Sequence, residues 1–143
     1  MSVFLLRHGE STANSGEDDC IDAGLSAKGV EQARAVVGRF DLAVVSPLRR
    51  AQQTLELSAI QANLQIVESL CRERVIHHRD TLVGEAFRAE TDEEFWKRVE
   101  LFRAKISAWS EANDTILVVG HSYFFAAAFN AWGLANCELR QAS

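Results

Sequence analysis

Cysteine is scarce and unpatterned in this chain. Cys20, Cys71 and Cys137 are an odd number set far apart, with neither a CxxC pair nor Cys/His ligand spacing. That excludes a disulfide framework or a zinc module and fits free thiols in a reducing compartment. No apolar stretch approaches the roughly 20 residues that a membrane span requires. The opening MSVFLLRHGE has neither the basic segment nor the cleavage site of a secretory leader, so the expected location is the cytoplasm, with no membrane partner. A surplus of cations is also missing: 15 Lys and Arg face 20 Asp and Glu, a net charge of -5. A general nucleic-acid binder needs cations to neutralise a phosphate polymer, and nucleic acid is not expected as a partner. A local basic pocket on an acidic surface stays open. There is no internal repeat, low-complexity tract or linker.

What the chain has is enough apolar material for one core. Its 143 residues are 48% hydrophobic and 24% charged, which predicts a single domain over residues 1–143. Three short apolar runs, Val3–Leu6, Leu42–Val45 and Ile116–Val119, do not alternate with polar residues. Such runs suit strands of a mostly parallel sheet covered on both faces. Gln65–Val67 reads as a further short strand and Asn136–Leu139 as an edge strand.

Helical patterns separate these runs. Ser26 can cap a helix to about Gly38, with Val30, Ala33 and Val37 on one face. Ser46 followed by Pro47 reads as a cap and first helical position, with Leu48, Ala51, Leu55 and Ala59 following. Thr91-Asp92-Glu93-Glu94 is a capping box that opens the longest helix, whose stripe is Phe95, Val99, Phe102, Ile106 and Trp109. Tyr123–Trp132 reads as a buried, nearly all-apolar helix. Alternating strands and helices predict a three-layer α/β domain. Residues 9–25 and 68–90 are irregular stretches too long for simple turns, and loops of that length in compact domains often carry function.

Each buried strand candidate ends in polar groups: Arg7 and His8, then Ser46 and Arg49, then His121. A parallel sheet brings these ends to one edge, where ligands of open α/β sheets bind. Two imidazoles and two guanidiniums in one place call for an anion, and a guanidinium fork matches phosphate oxygens.

The residues also resemble a known family. Leu6-Arg7-His8-Gly9-Glu10-Ser11 followed by Asn14 is similar to the signature of the histidine phosphatase superfamily, which includes the cofactor-dependent phosphoglycerate mutases. Gly24-Leu25-Ser26 with Gly29, Gln32 and Ala33 looks like its first-helix motif. Ser46-Pro47-Leu48-Arg49-Arg50-Ala51 with Thr54 looks like its second phosphate-binding segment, and Val119-Gly120-His121-Ser122 like its late histidine motif. The four segments come in the family's order between Leu5 and about Ala127.

The resemblance implies a phosphoglycerate mutase-like fold and a metal-independent phosphatase with no cofactor. In it, His8 would become a transient phosphohistidine. Arg7, Arg49 and His121 would bind the phosphoryl oxygens, with Asn14 adding a hydrogen bond and Arg50 turned outward. Glu73 would protonate the leaving group, with Glu85 and Asp80 as alternatives. Glu10 would hold the site's cations, and Ser11 and Ser122 fit either phosphate contact or capping. The basic run Arg72, Arg74, His77, His78 and Arg79 reads either as a solvated loop paired with Asp80, Glu85 and Glu90, or as an overhang selecting a second anionic group. The chain is short and ends at Ser143, leaving little room for the insertions and C-terminal cover of mutases. The expectation is therefore hydrolysis of a phosphomonoester, with a small phosphorylated metabolite or a phosphoprotein as substrate. A protein phosphohistidine phosphatase, a phosphomutase and an inactive phosphate-binding domain are the alternatives. Oligomeric state is open.

Overall fold

A computed structural model describes residues 1–142. Strands β1 (Ser2–Arg7), β2 (Val37–Val45), β3 (Ala59–Val67), β4 (Thr115–Gly120) and β5 (Leu139–Gln141) form one sheet in the order β3-β2-β4-β1-β5. All pairings are parallel except β5, which runs antiparallel to β1. The helices are α1 (Ala27–Arg34), α2 (Arg49–Leu57), α3 (Asp92–Trp109) and α4 (Ser122–Phe129).

The unbroken apolar runs are explained by cover on both faces. Val3, Leu5, Leu42, Val44, Ile116 and Val118 pack against the Phe95, Val99, Phe102 and Ile106 stripe of α3 and the phenylalanines of α4. The alternate residues Leu6, Ala43, Val45, Leu117 and Val119 meet Ala51 and Leu55 of α2. The result is the expected three-layer α/β sandwich. Thr91 caps α3 reciprocally with Glu94, as its capping box predicts.

Several boundaries differ from the sequence reading. The first helix stops at Arg34, and β2 already begins at Val37, which pairs with Ala59 and is 65% exposed. Ala59 thus begins β3 and does not extend α2. β3 is an edge strand with mostly exposed residues, and the sequence reading reached only its last three. The final strand begins three residues later than expected, because Asn136 and Cys137 form a turn, Cys137 with φ of 57°. The last helix ends at Phe129, closed by Asn130 in the left-handed region, and leaves Trp132 70% exposed. Ser46 and Pro47 precede α2, whose N-cap is Leu48.

The order of the sheet sets the site. The chain passes from β1 to β2 and outward to β3, then returns to place β4 between β1 and β2. At the carboxyl ends, His8 N donates to Gly120 O (3.0 Å) and Ser46 N to Val119 O (3.0 Å), which brings Arg7, His8, Ser46 and His121 side by side.

Candidate active site

His8 leaves β1 with its backbone held from several sides. Gly9 N donates to Thr54 Oγ1 (2.9 Å), Asn136 Nδ2 to His8 O (3.1 Å) and Cys137 N to Arg7 O (2.9 Å). Gly9 and Gly29 permit a close backbone crossing: a Cβ on Gly9 would lie 2.8 Å from Gly29 O, and one on Gly29 would overlap Glu10 O. The His8 ring Nδ1 lies 2.6 Å from Gly9 O. A carbonyl only accepts, so Nδ1 carries the proton and Nε2 keeps its lone pair. Burial, aided by the charges of Arg50 and Arg7, presses the imidazole pKa down to about 3. His8 is a neutral, oriented base.

The guanidinium beside it belongs to Arg50, not Arg49. Arg50 is 6% exposed and its Nε donates to His8 Nε2 at 3.4 Å. Its Nη1 reaches Arg79 O (3.3 Å) and its Nη2 Asp80 Oδ1 (3.2 Å). Arg49 is exposed, its backbone N donates to Asp22 Oδ1 (2.6 Å), and it lines a separate hollow with Thr12, Asp18 and Cys20. The expectation that Arg49 faces the site and Arg50 faces out is therefore reversed. The cause is the phase of α2: starting at Arg49, the helix buries Arg50, Ala51, Thr54 and Leu55. Thr54, four residues after Arg50 and hydrogen-bonded to its carbonyl (2.8 Å), shares its face and was the available signal.

The other expected residues fall as follows. Arg7 donates to Leu134 O (2.9 Å), its Nε is buried without a partner, and burial lowers its pKa. Arg7, His8, Asn14, Arg50, Glu73 and Asp80 all line one cavity of about 230 Å³. Asn14 is held there by Ser11, whose N donates to Asn14 Oδ1 (3.2 Å) while Asn14 N donates to Ser11 Oγ (3.0 Å). His121 is fully buried, its ring centroid 5.2 Å from that of His8. Its Nε2 meets Ser46 Oγ at 2.8 Å, and its Nδ1 has no partner. Glu10 does not hold the site's cations. Its carboxylate accepts from Ser26 Oγ (2.8 Å), at the start of α1.

Glu73 reaches the cavity from the loop after β3. Its oxygens accept from the backbone N–H groups of Arg74 (3.0 Å), Tyr123 (3.2 Å) and Phe124 (3.0 Å). Burial outweighs these bonds and holds the carboxyl above the usual range. Arg98, which sequence reasoning passed over, fixes this loop: Nη1 donates to Leu70 O and Arg72 O (both 2.7 Å), while Nε and Nη2 grip Glu90 (both 2.8 Å). Its place next to Val99 and two residues after Trp96 is that of an ordinary helix-surface cation, so the sequence carries no signal for it.

Of the alternative acids, Glu85 lies outside the cavity and pairs with Arg72 (2.9 Å). Asp80 lines the cavity but is committed: besides Arg50, it accepts from the N–H groups of Ile76 (3.2 Å) and His77 (3.1 Å). The basic run divides between the two readings. Arg72, Arg74 and His78 pair with Glu85, Asp92 and Asp19, whereas Arg74, His77 and Arg79 also line the cavity. Among the described residues, no cluster of three or more His, Cys, Asp or Glu is placed to hold a metal ion, and no helix is long and apolar enough to cross a membrane.

Residues 3–74 match the profile of the histidine phosphatase superfamily (branch 1). The chain belongs to this superfamily, and its enzyme class is phosphatase. Among solved structures, a candidate alpha-ribazole-5'-P phosphatase from Escherichia coli K-12 is 28% identical, with a TM-score of 0.67 over 90% of this chain and 77% of that one. The alpha-ribazole phosphatase from Shigella flexneri is 25% identical, with a TM-score of 0.64 over 88% and 76%. A protein from Thermus thermophilus, 23% identical, shares the fold with a TM-score of 0.71 over 100% and 93%. No curated protein matches the sequence.

Proposed function

We propose that this chain is a single-domain phosphatase that hydrolyses a small phosphomonoester through a phosphohistidine on His8. The observation that carries the reading is the state of His8. Its Nδ1–H is tied to Gly9 O, and its unprotonated Nε2 lies beside the Arg50 guanidinium in a cavity. A nucleophile must present a lone pair, and a fixed cation beside it balances the charge on the transferred phosphoryl oxygens.

The step begins with attack of His8 Nε2 on phosphorus. The N–P bond forms as the ester P–O bond breaks, and the electron pair leaves with the alkoxide. Arg7 and Arg50 donate to the phosphoryl oxygens. His121 joins them: Ser46 Oγ–H can donate to its Nε2, which leaves an Nδ1–H donor buried without a partner. Such a donor costs stability until a ligand satisfies it. Asn14 lies at the same cavity to add a bond.

Glu73, whose raised pKa favours the carboxylic acid, gives its proton to the leaving oxygen. In the second half, water attacks the phosphohistidine, Glu73 takes the water's proton and inorganic phosphate departs. No metal or cofactor enters this scheme.

An acid in the cavity favours ester hydrolysis over release of an imidazole from a phosphohistidine protein, because the alkoxide is the poorer leaving group. The cavity of about 230 Å³ falls below the usual ~300–1,000 Å³ of drug-sized sites, which supports a compact metabolite as substrate. The named relatives described as alpha-ribazole phosphatases act on a small molecule, in keeping with this. Three unpaired cysteines suit a reducing compartment, and we place the protein in the cytoplasm.

The test is turnover of an aryl phosphate by wild type and His8→Ala. Wild type should release phosphate and His8→Ala should lose essentially all activity. Equal turnover by the two proteins would remove His8 from the chemistry.

A further inference from the structure

We propose that Arg79, with His77 beside it, forms a second anion subsite, so that the preferred substrate is a short phosphomonoester bearing a carboxylate or second phosphate on its leaving group. The proposal rests on the phosphatase reading above and specifies what the same cavity accepts.

Most cations around the cavity are already matched. Arg72 is paired with Glu85, Arg74 with Asp92, His78 with Asp19, Arg98 with Glu90 and Arg50 with Asp80. Two cations of the cavity wall, Arg7 and Arg79, meet no carboxylate among the described residues. Arg7 adjoins the nucleophile in sequence and serves the transferred phosphoryl group. Arg79 has no such assignment, and dianionic substrates are only partly balanced by Arg7 and an Arg50 already paired with Asp80.

Arg79 also differs from a solvated loop cation in how it is held. It is half-buried and lies in the 3-10 turn His78–Asp80. The Asp80 carboxylate fastens that turn to Ile76 N, His77 N and Arg50, and Arg50 Nη1 grips Arg79 O itself. The turn is thus built onto the phosphate-binding arginine. With the backbone at its root fixed in this way, the Arg79 guanidinium loses less freedom on binding a planar carboxylate or a phosphate than it would from a loose loop. The cavity's small volume keeps the second anion close to the first, which means a short carbon skeleton between them.

The test is calorimetric binding of uncleavable phosphonates: ethylphosphonate, phosphonoacetate, which adds a carboxylate, and methylenediphosphonate, which adds a second phosphonate. Wild type should bind one of the doubly anionic probes about tenfold or more tighter than ethylphosphonate, the scale of one charge-assisted hydrogen bond. Whichever probe is tighter identifies the second anion as carboxylate or phosphate. In Arg79→Ala the ratio should fall to about one, and Arg79→Lys should keep part of it. Equal affinities in wild type, or a preference that survives Arg79→Ala, would overturn the subsite. Because these probes are not turned over, an inactive protein that still shows the preference would count against the phosphatase reading alone. An active one without the preference would count against the subsite alone.

Discussion

The side chains of the site are prepared for charge they do not yet carry. His8 is neutral because burial and two nearby arginines oppose its protonation, and Glu73 is biased towards its acid because burial opposes its ionisation. Opposed shifts of this kind are what the proposed nucleophile and general acid require of one pocket. Glu73→Gln should lower turnover of an alkyl phosphate by roughly 10²–10⁴-fold, the usual contribution of a general acid, and lower aryl phosphate turnover much less. Wild-type turnover of the alkyl ester should decline as pH rises through the raised Glu73 pKa, because the proton donor is then lost; a profile on the aryl ester should be flatter. Equal losses on both esters would remove Glu73 from the donor role.

The two neighbouring arginines give a sharper contrast. Arg50→Ala should cost about 10²-fold or more in kcat/KM, on the scale of one lost charge-stabilising donor, while Arg49→Ala should stay within about twofold, as expected of an exposed side chain. The opposite pattern would contradict the geometry. The motif alone did not separate the two arginines, because a one-residue change in the helix start rotates each side chain by about 100°; only the spacing of Arg50 from Thr54 pointed to the right one. The place of Arg7, His8, Asn14 and Glu73 at one cavity was legible, the first three from a strand end and the motif around it, Glu73 from the loop position that the family resemblance implies. The bonds of Asp80 to Arg50 and of Arg98 to Arg72, which span 30 and 26 residues, were not.

At the level of elements, legibility followed how much of the stabilising contact is local. The α3 start was readable because Thr91 and Glu94 satisfy each other's backbone within four residues. Thr91→Ala should therefore destabilise the fold by about 1 kcal/mol, measured by denaturant unfolding. Phe102→Ala, deep in the stripe and fully buried, should cost roughly 3–5 kcal/mol. The start of β2 and most of β3 were hidden because their exposed residues show no apolar period. Their conformation comes from pairing with each other, from Val37 with Ala59 onward. Gly29 illustrates a constraint that composition does not reveal, since only the crossing with Glu10 shows why a side chain is refused there. Gly29→Ala should displace the segment that carries His8, lowering both stability and turnover.

For the whole molecule, two buried neutral histidines tie stability to pH. His8 has a folded pKa of about 3 against an ordinary 6.5, and burial also holds His121 well below its ordinary value. Between those limits the unfolded chain binds more protons than the folded one, so stability falls as pH falls from about 6.5 towards 3. Unfolding titrations should show that acid-side loss, and replacing His8 with Asn should reduce its slope; a stability independent of pH over this window would contradict the buried neutral state. The layered architecture itself was readable, since unbroken apolar strands require cover on both faces, and the sheet order then collects the strand ends into one pocket.

Passage of the phosphoryl group through His8 is the claim on which the rest depends. The direct measurement is a rapid alkaline-denaturant quench of a single turnover of aryl phosphate, followed by intact mass and peptide mapping. A transient phosphoryl adduct on His8 should form before phosphate release and be absent from His8→Ala. Phosphate release with no adduct at any time, or an adduct on another residue, would contradict it.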